Sequence, residues 1–323
     1  MDAIPRLSIG LPVYNGEPFI EETLDSLLGQ TYADFELIIS DNCSTDGTEG
    51  ICRSYAMRDP RVSYFRQPRN LGAAPNHNFV VQQSRGELFK WSSADDLCAR
   101  DFLERCIEAL DQRPDVVLAH CWTAVIDSAG SVTEAIEYPS DTAALRAPDR
   151  FRAMLECSRG SDDYGGVMRL SVLRRTPLLG SHHFADRTLF TELALRGRFH
   201  HIPEWLHFRR DHANAAYRLC PTVRQRCANL DPRRGNRLMH PSVRLYAEYG
   251  WGFVASVNHV PMSPADRLEC YEHVWRFLTD RAIPSAGRVL RGGAIPRDQP
   301  LLEAPLPTIC VDDIVPGRTR SLR

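Results

Sequence analysis

Four short apolar runs, separated by stretches of helical spacing, constrain the first hundred residues more than any other feature. Leu7, Ile9, Leu11 and Val13 alternate as a strand does. Pro12 falls near the end of that strand, where a missing N–H does least harm, and Asn15-Gly16 is a turn signal. Residues 19–30 carry Ile20, Leu24, Leu27 and Leu28 on one helical face, with Pro18 suited to the first turn. Residues 35–39 predict a second strand. It ends in a polar loop over 40–48, where Ser44 or Thr45 would cap the next helix. Residues 62–65 predict a third strand, 70–78 lead into a short helix, and 87–91 predict a fourth strand. Strands alternating with helices imply an α/β chain with a mostly parallel sheet covered on both faces.

The fourth run is followed at once by Ser92-Ser93-Ala94-Asp95-Asp96. In an open α/β sheet, ligands bind beyond the carboxyl ends of the strands. Two adjacent acids there suit a hard divalent cation, which takes oxygen ligands and shares them with a substrate's phosphates. Two solvated turn residues would look the same in isolation. The next predicted helix has its own cap in Asp101, with Glu104 three residues on, which frees Asp95 and Asp96 from that duty.

Four segments occur in order: Pro12-Val13-Tyr14-Asn15-Gly16, the 40–48 loop, Asn70-Leu71-Gly72 with Asn78, and Ala94-Asp95-Asp96. So arranged, the chain resembles a family 2 glycosyltransferase of the GT-A type, with a single Rossmann-like sheet and a C-terminal helical appendage. The resemblance is strong over residues 5–130, moderate over 160–215 and weak beyond. It implies a nucleoside-diphosphate sugar as donor and Mn²⁺ or Mg²⁺ as cofactor. Pro12, Tyr14, Asn15 and Asp41 would then hold the nucleoside, Tyr14 stacking on the base and Asp41 accepting its imide N–H. Asn70, Gly72 and Asn78 would line the nucleotide side. Asp96 would contact the cation bridging the diphosphate, and Asp95 would reach ribose or metal. Many members carry a further Asp at the position of Ser93, so fewer carboxylates face the cation here.

Further along, residues 102–110 predict an amphipathic helix and 116–122 a buried strand. Asp127 to Gly130 reads as a hairpin turn before Val132, and 165–169 as a further strand behind a tight backbone. Residues 135–165 are polar and irregular, where an acceptor-facing loop would sit. From Leu189 the pattern is helical and ends at Gly197. The resemblance makes Asp186, just before it, the general base for the acceptor hydroxyl. A helix-capping Asp would read the same way, and Glu192 is the weaker candidate base. Residues 202–212 resemble the family's strand and Arg–His tail. His212 would complete the metal shell or touch the diphosphate, and Arg209 or Arg210 would offset phosphate charge. His200, His201 and His207 lack ligand spacing and read as solvated or core histidines.

These readings divide the chain into a nucleotide-sugar-binding half (1–125), an acceptor-binding and catalytic-base half of the same domain (126–218), a helical region (219–290) and a disordered tail (291–323). In the helical region, Leu268, Tyr271, Trp275 and Leu278 form a stripe that reads as core. A net charge of −2 gives no broad basic field for nucleic acid. A core strand begins by Leu7, leaving no room for a signal peptide, and no apolar run approaches the roughly 18 residues needed to span a bilayer. Ten cysteines without Cys-x-x-Cys or regular spacing read as reduced thiols in a cytoplasmic protein. Arg is dense over 209–244, which fits peripheral contact with the inner face of a membrane, an anionic acceptor or a plain solvated face alike.

The expected activity is an inverting, metal-dependent, non-processive transfer of sugar to an acceptor hydroxyl in polysaccharide or glycoconjugate biosynthesis. Processive members of the family carry Gln-x-x-Arg-Trp and transmembrane helices, and neither is present. A sugar-1-phosphate nucleotidyltransferase is the alternative enzyme, but it needs a Gly-rich basic loop after the first strand, which Pro12 to Gly16 is not. A non-catalytic nucleotide-sugar-binding protein is the alternative outside enzymes. The base, the sugar and the acceptor are not legible.

Overall fold

A computed structural model describes residues 4–136, 141–157 and 162–282. The first half alternates as the sequence predicts: β1 (Leu7–Val13), α1 (Ile20–Leu28), β2 (Phe35–Asp41), α2 (Thr48–Arg58), β3 (Val62–Arg66), α3 (Ala73–Gln83) and β4 (Leu88–Trp91). A two-residue β5 (Leu97–Cys98), α4 (Phe102–Gln112), β6 (Val116–Ile126) and β7 (Val132–Ile136) follow. Then come α5 (Ala147–Glu156), β8 (Val167–Arg169), α6 (Leu170–Leu173), α7 (Ala185–Arg196) and β9 (Arg198–Arg210). The C-terminal part is helical: α8 (Ala216–Leu219), α9 (Val223–Leu230), α10 (Ser242–His259) and α11 (Pro264–Phe277).

One sheet runs in the order β3-β2-β1-β4-β8-β6-β9-β5, with β7 paired to β6. The strands β3, β2, β1 and β4 are mutually parallel. Beyond them β8 runs antiparallel to both β4 and β6, and β6 runs parallel to β9. Every residue of β1 and β2 is buried, as expected for strands covered by helices on both faces. One face packs Leu7, Ile9 and Leu11 against Leu24, Phe102 and Leu103. The other packs Ile38, Phe89 and Trp91 against Val80, Leu189 and Phe190. A third core joins α5, α10 and α11 through Phe151, Phe253 and Phe277.

Local sequence explains how the strand ends open into a site. Pro12 sits in a central strand without leaving a gap in the ladder. The β1–β4 pairing ends at Gly10 and Trp91, and Gly10 O still accepts from Ser92 N. Pro12 has the same parity as Gly10, so its missing N–H faces the side where β4 has already stopped. The chain then leaves β1 through Asn15 at a φ of 54°, a left-handed conformation that Asn tolerates better than most residues.

Several local expectations are corrected. Neither Ser44 nor Thr45 caps α2; the Asp46 carboxylate accepts from Thr48 N and Thr48 Oγ1 instead. Asp101 makes no capping bond at α4, because Gln30 Oε1 accepts from Leu103 N and Glu104 accepts from Thr31. The 135–165 stretch is not a plain loop, since α5 occupies Ala147–Glu156. The predicted stripe on α11 is split: Tyr271 and Leu278 pack partly buried on the core, but Leu268 and Trp275 are 61% and 69% exposed, and Cys270, Val274 and Phe277 are the buried residues. Apolar residues lie on both stripes of that helix, and only packing chooses between them. The expected tail at 291–323 lies outside the described residues. Among the described residues, no helix is long and apolar enough to cross a membrane, and the nine cysteines are free thiols.

Candidate active site

The acids after β4 are held from the far side of the sheet. β5 pairs antiparallel with β9, Leu97 opposite Phe208 and Cys98 opposite His207. That pairing brings the end of β9 over Asp95 and Asp96. Arg210 N donates to Asp96 Oδ1 at 2.9 Å, and Arg210 Nε donates to the carbonyl of Asp95. The Arg210 guanidinium is fully buried, bonded to Glu22 and to the carbonyls of Asp127 and Ser128. Its charge is therefore spent on fixing the acidic loop, which removes Arg210 as a phosphate ligand. Arg209 is the remaining candidate from that pair.

His212 comes to the acids, as its sequence position implied. Its Nε2 lies 3.0 Å from Asp95 Oδ2, and its ring packs on Phe19 at 4.6 Å between centroids. His207, read from sequence as an ordinary solvated or core histidine, is buried beside the site, with Nε2 3.7 Å from Asp96 Oδ2. Burial pushes the His207 imidazole well below its ordinary range, and the charges of Lys90 and Arg209 push it further. The Asp96 carboxyl moves the other way, up to about 7. Burial is the main cause and the charge of Asp95 adds to it; the Arg210 N–H, Arg209 and the Ser93 hydroxyl oppose it. A carboxyl so placed is short of positive charge, which fits a cation arriving there. Among the described residues, no group of three or more carboxylate, imidazole or thiolate side chains is placed to hold a metal ion. Asp95, with His212 against it, and the neighbouring Asp96 would leave most of a cation's oxygen ligands to a diphosphate.

The nucleoside end divides into open and occupied residues. The Tyr14 ring is 49% exposed at the mouth of the β1–β2 crevice, available for stacking. Asn15 braces that crevice: Oδ1 accepts from Thr45 N and its backbone N donates to Ser44 Oγ. Asp41 is fully buried. Its Oδ1 accepts from Ser44 N, and its Oδ2 accepts from the Tyr64 hydroxyl and Arg66 Nη1 at 2.7 and 2.8 Å. Of the four acceptor positions a carboxylate offers, three are taken by the fold. Asn70 Oδ1 accepts from Asn42 Nδ2 and Gly72 N.

Gly72 and Asn78 serve packing in ways the sequence did not reveal. Gly72 has a φ of 91°, and a Cβ there would lie 2.5 Å from the carbonyl oxygen of Leu230. The close approach is to the C-terminal helical part rather than to a ligand. Asn78 clips the loop before α7, donating to Leu179 O at 2.9 Å and accepting from Leu179 N at 3.0 Å. Its amide is thereby committed to placing the helix that carries Asp186.

Asp186 stands in the first turn of α7, half-buried. The N-cap is Phe184, in a left-handed conformation, and no side chain caps the helix. Asp186 is therefore not the cap its position would suit. Glu192 is excluded as an alternative base: it is buried, ion-paired to Arg196 at 2.6 Å and within 3.2 Å of His259 Nδ1.

Two residues that the sequence reading missed pack at the end of β4. Lys90 is buried in β4, its ammonium donating to the carbonyls of Gly165 and Trp91. A lone lysine inside an apolar strand was the available signal. Tyr164, which had no periodic signal around it, stacks on Trp91 with ring centroids 5.5 Å apart and planes within 9°. Burial raises its phenol well above the ordinary range, and the charges of Asp96, Asp186 and Asp95 raise it further.

Known proteins resemble this chain in sequence and in fold. The sequence profile described as Glycosyl transferase family 2 matches residues 8–173. The chain belongs to glycosyl transferase family 2. EpsJ, an uncharacterized glycosyltransferase of Bacillus subtilis, is 37% identical over 109 residues, covering 34% of this chain and 31% of EpsJ. An uncharacterized glycosyltransferase of Rickettsia typhi is 36% identical over 124 residues, 38% of either chain. The chain spans less than half the length of these curated relatives. Solved structures also resemble it in three dimensions. S. aureus TarS 1–349 in complex with UDP-GlcNAc has a TM-score of 0.53 at 16% identity, covering 93% of this chain and 99% of that one. The mannosyltransferase PcManGT from Pyrobaculum calidifontis, in complex with GDP-Man and Mn²⁺, has a TM-score of 0.51 at 19% identity, covering 90% and 88%. At these identities the likeness is one of fold, a GT-A-like mixed, mostly parallel sheet with flanking helices.

Proposed function

We propose that this chain is an inverting, metal-dependent, non-processive glycosyltransferase, moving a sugar from a nucleoside-diphosphate sugar to an acceptor hydroxyl. The observation that carries the reading is the contact of His212 with Asp95, next to Asp96, beyond the end of β4, with Asp186 in the first turn of α7 left free of any capping bond. The sugar nucleotides bound by TarS and PcManGT, the latter with Mn²⁺, support the donor class.

In this reading Tyr14 stacks on the base and Asp41 offers its last acceptor position to the base N–H. Asp95, Asp96 and His212 would hold Mn²⁺ or Mg²⁺, which when bound supplies Lewis-acid stabilisation of the leaving diphosphate. Arg210 keeps the acid pair rigid, which favours a preorganised site. Asp186 takes the proton from the acceptor hydroxyl as that oxygen attacks the anomeric carbon from the face opposite the diphosphate. One displacement inverts the anomeric configuration. The protein would act in the cytoplasm, on a polysaccharide, a lipid-linked intermediate, a peptide or a small metabolite.

The test is a panel of UDP-, GDP- and dTDP-linked sugars, with and without Mn²⁺, scored by protection against thermal unfolding and then by turnover. Metal-dependent protection followed by transfer supports the proposal. Protection without transfer to any acceptor or to water would instead favour a nucleotide-sugar-binding protein.

A further inference from the structure

Tyr164 bridges the two ends of the site. Its ring stacks on Trp91, the last residue of β4 and four residues before Asp95. Its edge meets Phe190, one helical turn after Asp186 on α7, with centroids 6.5 Å apart at 71°. His77 of α3 closes a third side at 5.8 Å. The ring is thus held by the strand that ends at the acid pair and the helix that begins at the proposed base. Its hydroxyl is buried and has no hydrogen-bond partner among the described residues. A buried, unpaired hydroxyl costs stability, and a phenylalanine would fill the same space without that cost. The hydroxyl therefore calls for a partner that the described residues do not supply.

We propose that the Tyr164 hydroxyl hydrogen-bonds the sugar being transferred, making it a donor-sugar contact distinct from the nucleoside and diphosphate contacts. The inference rests on the glycosyltransferase reading above. In a displacement with inversion, the leaving diphosphate, the anomeric carbon, the acceptor oxygen and the base lie in that order. A ring held between Trp91, on the strand that ends before Asp95–Asp96, and Phe190, on the helix that begins at Asp186, is placed for what would lie between diphosphate and acceptor, the sugar ring. Sugar hydroxyls both donate and accept, so a phenol suits them in either sense.

The experiment uses Tyr164→Phe in the full chain. Calorimetry with Mn²⁺ compares UDP, GDP and dTDP with their hexose conjugates, and thermal unfolding is measured alongside. The proposal expects unchanged binding of the free nucleotides, a melting temperature equal to or above that of the parent, and a roughly tenfold loss of affinity for the sugar nucleotide, the worth of one buried hydrogen bond. Equal sugar-nucleotide affinity in the variant would overturn the assignment while leaving the transferase reading intact. A variant that melts several degrees lower would overturn it too, because the hydroxyl would then have a partner within the fold. A parent protein that binds no member of the panel would remove the transferase reading, and this inference with it.

Discussion

The imidazole of His212 stands 3.0 Å from the Asp95 carboxylate, across 117 residues of sequence. The contact exists because β5 and β9 pair antiparallel, which lays the residues after β9 across the loop after β4. In the proposed function, this pair and Asp96 answer for the metal dependence.

Asp96→Asn separates metal binding from folding. The amide oxygen still accepts from Arg210 N, so the loop stays in place. The variant is expected to melt within a few degrees of the parent and to bind UDP or GDP without metal as before. Calorimetry should show that Mn²⁺ no longer strengthens that binding. An undiminished Mn²⁺ effect in folded Asp96→Asn would remove Asp96 from the metal site.

Asp186→Asn addresses the chemistry. A general base contributes about 10²–10⁴-fold to rate, and the side chain caps nothing in its helix. Donor affinity and melting temperature should therefore be nearly unchanged, while transfer falls by roughly two orders of magnitude or more. Retained transfer would rule Asp186 out as the base, and Glu192, held by Arg196, could not replace it without breaking that pair.

Asp41→Ala is expected to affect stability as well as nucleotide binding. It removes the acceptor for Ser44 N and for the Tyr64 hydroxyl, each group costing about 1–3 kcal/mol where it stays buried and unpaired. Urea unfolding should show a loss of that order. Calorimetry with free UDP, run below the new unfolding midpoint, should show nucleotide binding weakened by roughly 1–3 kcal/mol if Asp41 also receives the base N–H. Full-strength binding in the folded fraction would leave Asp41 with a structural role alone.

Acid should destabilise the protein through its buried histidines. Burial, the largest cause in each case, pushes His77 down to about 4, His183 to about 3 and His201 to about 4. Each takes up a proton near pH 6.5 when unfolded but not when folded. Their stabilising effect is present above pH 6.5 and is lost as pH falls toward the folded values, with a slope approaching about 1.4 kcal/mol per pH unit for each histidine. Asp96, raised to about 7, works in the opposite sense, since its protonation between pH 7 and 4 favours the folded chain. His120 and His207, also pushed well down by burial, act in the same sense as these three, so the histidines outweigh Asp96 and leave a net loss. Urea unfolding at pH 6.5 and 4.5 should show it, and His183→Phe should flatten the slope. Greater stability at pH 4.5 would contradict the assignment.

The alternation of strands and helices, the acid pair at a strand end, and the candidacies of Tyr14, Asp186 and His212 were all legible in the chain. The first two depend on local pattern: apolar periodicity, turn residues, and the type of side chain that follows a strand; the three candidacies rest on the resemblance of the chain's motifs to the family's. Tertiary structure decided what local pattern cannot carry. It turned Asn78 and Gly72 toward Leu179 and Leu230, buried Arg210 under the acidic loop, and chose the Phe277 stripe of α11 over the Trp275 stripe. It also placed Tyr164 between Trp91 and Phe190. In each case the deciding partner is far away in sequence. An amide, a guanidinium or a phenol looks the same in a sequence whether it will meet a ligand or another strand, and only the packed chain fixes which of them it meets.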